Sequence, residues 1–418
     1  MYQLKEDYAV YGTEITSLLN EIREMEEKTS YVTVEAKDIT LNTFVARHKD
    51  VYAFRKISNE KILDEAMTFI KRPEEPLDDE LLNESINNTG VIITALINGR
   101  KRAMYVSPHG ITAMAEKAGV GGPRINDPSY FRDLYIAEGL FNKDKVKLVL
   151  RREDRENGQV YKLFGVLSEK YKNISLEIIP ETIKALETDT EMGSSEFRQW
   201  KNTQSYTEAI IEFPDAADEL QAVYALPKKM IPGVRISTSD IGEASLRVQG
   251  TYRTEGARTF TVNSEVKRNH TGKVEMKDII NDVKKEIYSQ FKYVPEKLAF
   301  LMGKTIGNED LTSENGRNRN KALAEKAVRK GIRALHISKT IGQKRAKELE
   351  ASLTGEISGK IQYTEFDIAM MFMTIGDRII GLPDNARKML EKAVADAPFI
   401  RYQNDKDEEE IALLPEEV

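Results

Sequence analysis

Residues 231–273 read IPGVRISTSDIGEASLRVQGTYRTEGARTFTVNSEVKRNHTGK. A Pro-Gly turn opens the stretch, followed by the β-rich segments Val234–Thr238, Ser245–Arg253 and Arg258–Asn263 and a polar corner holding His270. In the second segment Leu246 and Val248 fall on one side and Arg247 and Gln249 on the other. That period of two marks a half-buried strand. Gly250 stands where the next inward side chain would be, which predicts a bulge or a close backbone approach. Asp240-Ile-Gly242 carries turn chemistry, because glycine takes a positive φ without a Cβ clash. The plain reading is an antiparallel meander.

The texture is similar upstream. Gly90–Ile97 is a β-branched run, Asn98-Gly99 is a hairpin turn, and Arg102–Val106 is the return strand. Val146–Leu150 and Val160–Leu167 read as two more strands, joined by the charged connection Arg151–Gly158. Tyr206–Phe213 reads as another, and the polar stretch 187–205 before it reads as a mobile loop. Helices are expected around Ile15–Met25, Glu60–Lys71, Asp78–Asn87, Ile111–Lys117, Tyr130–Leu140, Ile178–Ile183 and Asp215–Ala225. After Lys273 the pattern turns helical: Val274–Tyr293, Val294–Met302, Lys321–Leu335, Lys344–Leu353, the Met-rich Tyr363–Ile379 and Asn385–Val394. The expected fold class is α+β, a mostly antiparallel sheet core with flanking helices followed by a helical C-terminal region. The layout is an N-terminal helical segment at 1–34, a core at 35–273, helices at 274–400 and an acidic tail at 401–418.

Composition bounds function. The 418 residues are 40% hydrophobic and carry a net charge of -6. They include no cysteine, which excludes disulfides, thiolate metal sites and cysteine nucleophiles. No signal peptide or membrane span is evident, and the absence of cysteine suits a reducing cytoplasm and is compatible with a virion. The histidines His48, His109, His270 and His336 are not at a ligand spacing, and neither metal nor cofactor is expected. Gly303-Lys-Thr305 ends like a phosphate loop, but leucine occupies position 298 where the motif needs glycine. Ser239, Asp240, His270 and Lys273 form a candidate functional turn, His270 having the best context for chemistry.

The charged signal is clearer. Arg317, Arg319, Lys321, Lys326, Arg329, Lys330, Arg333, Lys344 and Arg345 lie in a stretch whose sole acidic residue is Glu325. Lys326, Arg329, Lys330 and Arg333 share one helical face, opposite Val328, Ile332 and Leu335. A basic face of that kind suits phosphate, because each cation displaces a condensed counterion. The competing reading is a solvated face balanced by the acidic tail. No aromatic residue interleaves the cations, which weakens a base-stacking model.

The run Ile111–Leu140, Lys147-Leu-Val-Leu-Arg-Arg152, Val160–Tyr171, Pro232–Gly242 and Asn269–Lys273 resembles the phage- and plasmid-encoded family called domain of unknown function 932, over roughly residues 85–290. In that family an Arg-bearing strand precedes a strand ending in Leu-Ser-x-x-Tyr, and a Ser-acid-x-Gly turn and a histidine corner follow. This chain has Asn269 before the histidine and lacks the family's Cys-Asn-Gly segment. The resemblance implies a mobile-element origin and no mechanism. The expected function is non-enzymatic nucleic-acid handling by a homo-oligomer, with single-stranded DNA as the partner and no membrane. The alternative is a virion or host-takeover protein acting through protein assembly.

Overall fold

The computed structural model describes residues 2–43, 46–48, 51–53, 78–121, 128–155, 158–187, 194–226, 229–243, 245–254, 259–268, 275–308, 310–337, 341–357 and 362–373. In chain order the elements are β1 (Ala9–Gly12), α1 (Ile15–Lys28), β2 (Thr29–Glu35), β3 (Thr40–Thr43), β4 (Ala46–His48), β5 (Val51–Ala53) and α2 (Asp79–Asn88). Next come β6 (Val91–Ile97), β7 (Arg100–Val106), α3 (Pro108–Ala118), α4 (Tyr130–Phe141), β8 (Lys145–Arg155), β9 (Gly158–Ser168) and α5 (Ile178–Glu187). Then β10 (Glu196–Thr203), β11 (Thr207–Glu212), α6 (Pro214–Tyr224), β12 (Met230–Thr238), β13 (Leu246–Thr254) and β14 (Thr259–Arg268) follow. The chain continues as helices: α7 (Met276–Lys292), α8 (Val294–Gly303), α9 (Glu314–Ile337), α10 (Gln343–Glu356) and α11 (Glu365–Met373).

The protein is α+β, as the sequence predicts. One six-stranded sheet has the order β1-β10-β11-β12-β13-β14 and is antiparallel throughout. The other has the order β2-β8-β9-β7-β6-β3 and contains one parallel pair, β7 with β9. The opening stretch forms the β12–β13–β14 meander. Leu246 and Val248 are buried while Arg247 and Gln249 are half-exposed. The β13–β14 register shifts at Gly250, where the sequence lacks an inward side chain.

The two sheets share a core. Val149, Phe164 and Leu167 come from one sheet, and Trp200, Ile211, Ile236 and Val248 from the other. Helices α1, α2, α5 and α7 close it. On the far side of the mixed sheet, α3 and α4 cover Ile93, Met104, Leu148 and Val166. The boundary expected at 274 does not separate α7 from the sheets, because Ile279, Val283 and Ile287 enter the shared core. Tyr2 and Leu4 enter it as well. Helices α9, α10 and α11 have their own cluster around Val328, Ile332, Leu353 and Tyr363. Asn320 pins α9 there, donating to the carbonyls of Ile306 and Tyr363 and accepting from the Tyr363 amide.

Two expectations are corrected. Arg151–Asp154 are not a connection: β8 and β9 run on, pairing Arg151 with Lys162 and Arg155 with Gly158. Nor is all of 187–205 loop. Residues 196–203 form β10, because Trp200 packs into the core and Asn202 is fully buried. The predicted helices at 60–71 and 385–394 and the tail lie outside the described residues.

Candidate functional site

Three features have the chemistry of a site. The first is the basic face of α9. Val328, Ile332 and Leu335 are buried against α10 and α11, so the helix period turns Lys326, Arg329, Lys330 and Arg333 to solvent, where all four are exposed. Lys326, Lys330 and Arg333 form no ion pair with the described residues, whereas Arg329 lies 3.9 Å from Glu325 and 3.6 Å from Glu350. Exposed pairs of this length contribute little. Arg319 is exposed and Lys321 half-buried on the same helix. Lys344 is exposed and Arg345 half-buried in the first turn of α10. Arg317 is committed elsewhere, donating to the carbonyls of Leu311 and Thr312 at 3.1 Å each.

The second feature is a buried charge centre between the sheets. Arg151 and Lys162 stand directly opposite each other on β8 and β9, both at 0% exposure. Like charges so placed repel, and each is neutralised from a different direction. Arg151 Nη2 donates to both oxygens of Asp240, at 2.7 and 2.8 Å, and Nη1 donates to Gln204 O at 2.7 Å and Oε1 at 2.6 Å. Lys162 Nζ lies 2.5 Å from Glu6 and 3.1 Å from Glu84. Both cations sit over the Phe164 ring, at 4.8 and 5.6 Å from its centroid. Burial opposes the charge on Arg151, but the Asp240 carboxylate outweighs it and holds the guanidinium above its ordinary value. Burial, with help from the Asp240 charge, pushes up the phenols of Tyr31 and Tyr171. Burial raises the Tyr2 phenol to about 12 against the opposing pull of Arg151.

The Asp240 turn is pressed into place. Gly242 has φ 85°, and a Cβ on Gly165 would come within 2.5 Å of the Ile241 carbonyl, so glycine at 165 lets this turn lie directly against β9. Tyr31 and Tyr171 donate to the carbonyls of Asp240 and Ser239. Ser239 Oγ accepts from the Glu243 amide. Ser239 and Asp240 are thus buried parts of the scaffold. His270 and Lys273, their partners in the candidate turn, lie outside the described residues.

The third feature is a cleft of about 760 Å³ at the start of α3, lined by Glu6, Ser107, His109, Gln204, Ser205 and Glu243 among others. Burial lowers the His109 imidazole, against the raising influence of Glu243 and Glu116. Burial raises the Glu6 carboxyl, against Lys162. The cleft thus offers a guest polar side chains from separate parts of the chain, with Glu6 already engaged by Lys162. Among the described residues no group of three His, Asp or Glu could hold a metal ion. No helix among them is long and apolar enough to cross a membrane.

Sequence reading missed Arg151, Lys162 and Gln204. A signal was present for the first two. Arg151 is two residues beyond inward-facing Val149, and Lys162 two before inward-facing Phe164, so the strand period points both at the core.

Comparison with protein-family models, with curated proteins and with solved structures finds no match to this chain.

Proposed function

We propose that this protein handles nucleic acid by binding rather than catalysis, with single-stranded DNA as the first ligand to test. The observation that carries the reading is the exposed face Lys326–Arg329–Lys330–Arg333 on a helix anchored by a core of its own. Phosphate contacts from such a face position a strand without reading bases. The origin on a phage or plasmid, and action in the host cytoplasm, rest on the resemblance to the domain of unknown function 932 family. A second reading, assembly through protein contacts, is favoured by α4, which exposes Phe131, Leu134, Tyr135 and Phe141.

The test is a fluorescence-anisotropy titration against single- and double-stranded DNA and RNA at several salt concentrations. Affinity should fall as salt rises, with a log–log slope of about -0.7 per phosphate for single strands. Four contacts would give about -3. Replacing the four residues by Gln keeps helix propensity and should abolish that part of the slope for all sequences alike. No binding by the wild type at low salt, or an unchanged slope in the variant, would leave assembly as the standing reading.

A further inference from the structure

Residues Tyr2–Tyr8 have no regular secondary structure, yet Tyr2 and Leu4 belong to the core. The backbone of this strap is received by side chains rather than by a neighbouring strand. The amides of Tyr2, Leu4 and Glu6 donate to the carboxylates of Glu24 at 2.8 Å, Glu153 at 3.0 Å and Glu84 at 3.3 Å. In return Gln204 Nε2 donates to the carbonyls of Gln3 at 2.7 Å and Lys5 at 2.9 Å, and Lys162 Nζ to that of Leu4 at 3.0 Å. The two-residue spacing of the three amides is the repeat of an extended segment. Three glutamates, drawn from α1, β8 and α2, match it. Side chains add selectivity: Tyr2 donates its hydroxyl to Gln204 Oε1 at 2.5 Å, Leu4 fills the apolar core, and Glu6 meets Lys162.

Main-chain pairing with a strand neighbour gives affinity with little selectivity of its own, which comes from side-chain pockets. A set of carboxylates, an amide, an ammonium and two apolar pockets instead selects aromatic-x-Leu-x-acid. We propose that the space between the sheets is a peptide-recognition groove, filled here by the chain's own strap, and that the strap of a second copy is its alternative occupant. The hinge is the turn at Glu6–Asp7, closed by the bond from the Tyr8 amide to the Lys5 carbonyl at 3.2 Å. Opening it at Asp7 loses that bond, while the groove contacts of Tyr2–Glu6 re-form in the second copy. Exchange of an identical element is a low-cost route to oligomers, and it is favoured by concentration because the intramolecular strap competes.

Complementation between two full-length variants tests this. Leu4→Asp spoils the strap and leaves the groove; Lys162→Met with Gln204→Ala spoils the groove and leaves the strap. Neither chain can fill its own groove, but the first can receive the strap of the second. Mixed or co-expressed with different affinity tags, the two should be captured together as a 1:1 heterodimer melting above either chain alone. A chain carrying all three substitutions should be captured by neither. If a variant does not fold alone, co-expression should recover it in the complex. Absence of a heterodimer on both mixing and co-expression, or equal capture of the triply substituted chain, would overturn the proposal.

Discussion

In the two-sheet core Arg151 and Lys162 have no exposed surface, whereas on α9 Lys326, Arg329, Lys330 and Arg333 stand in water. The residue types are the same and their physics is opposite. A buried cation is tolerable only when hydrogen-bonded partners surround it, so Arg151 and Lys162 fix where the Asp240 turn, the Gln204 turn, α2 and the strap must lie. An exposed cation is screened and constrains nothing nearby. Position relative to the apolar pattern, and not charge itself, separates the residues that hold the fold from those free to bind a partner.

The largest effect that probes this contrast comes from Asp240→Ala. It leaves the Arg151 guanidinium buried without its carboxylate, which should cost about 3–5 kcal/mol in denaturant melts. Arg151→Met combined with Asp240→Leu should recover much of the loss, since a buried pair is often replaceable by apolar groups. A loss below about 1 kcal/mol for the single variant, the range of an exposed pair, would erase the contrast.

Leu246→Ala supplies the uncharged yardstick in the same core. Its side chain is 2% exposed, and truncation should cost about 2–5 kcal/mol. A loss below about 0.5 kcal/mol would refute the packing of the meander.

Glu6 gives a smaller effect with a definite sign. Its carboxyl is raised by burial, against the pull of Lys162, so the folded chain holds this proton more tightly than the unfolded chain does. Its contribution to stability is present below the unfolded carboxyl pKa and is lost as pH rises through the folded value. Wild type should therefore gain stability relative to Glu6→Gln as pH is lowered from neutrality toward the carboxylate range. Parallel pH profiles for the two proteins would show that the carboxyl is not perturbed.

The smallest effect is expected at the exposed face. Changing Lys326, Arg329, Lys330 and Arg333 together to Gln should leave unfolding free energy within about 0.5 kcal/mol, while nucleic-acid affinity falls. A larger loss of stability would mean that these cations hold structure after all.

The local parts of the fold were legible. Asn98 and Gly99 both take positive φ, 51° and 77°, as a two-residue hairpin turn requires. The helices expected at Asp78–Asn87 and Ile111–Lys117 form, and the side chains of Asp78 and Ser107 cap them. The β12–β13 alternation was plain because each residue's environment follows from its neighbours. The buried charge centre was not legible, although the strand period pointed inward. Arg-Arg-Glu-Asp-Arg reads as a solvated connection until partners are known, and they come from far away. Asp240 is 89 residues from Arg151, and Leu4 is 158 from Lys162. No local pattern encodes that compensation. The α9 face was legible because i, i+3, i+4 spacing is local, though the diversion of Arg317 to loop carbonyls was not.

The pairing of β1 with β10 has a consequence for synthesis. Ala9 pairs with Thr203, and the strap beside it needs Gln204 and Asp240 in place around Arg151. At translation rates of ~5–20 residues per second, β1 waits ~10–40 s for its partner strand to be made. During that interval Tyr2, Leu4 and the free edge of β1 are without their native cover. The closing of this sheet edge therefore waits on the synthesis of residues 203–240, long after β1 itself has been made.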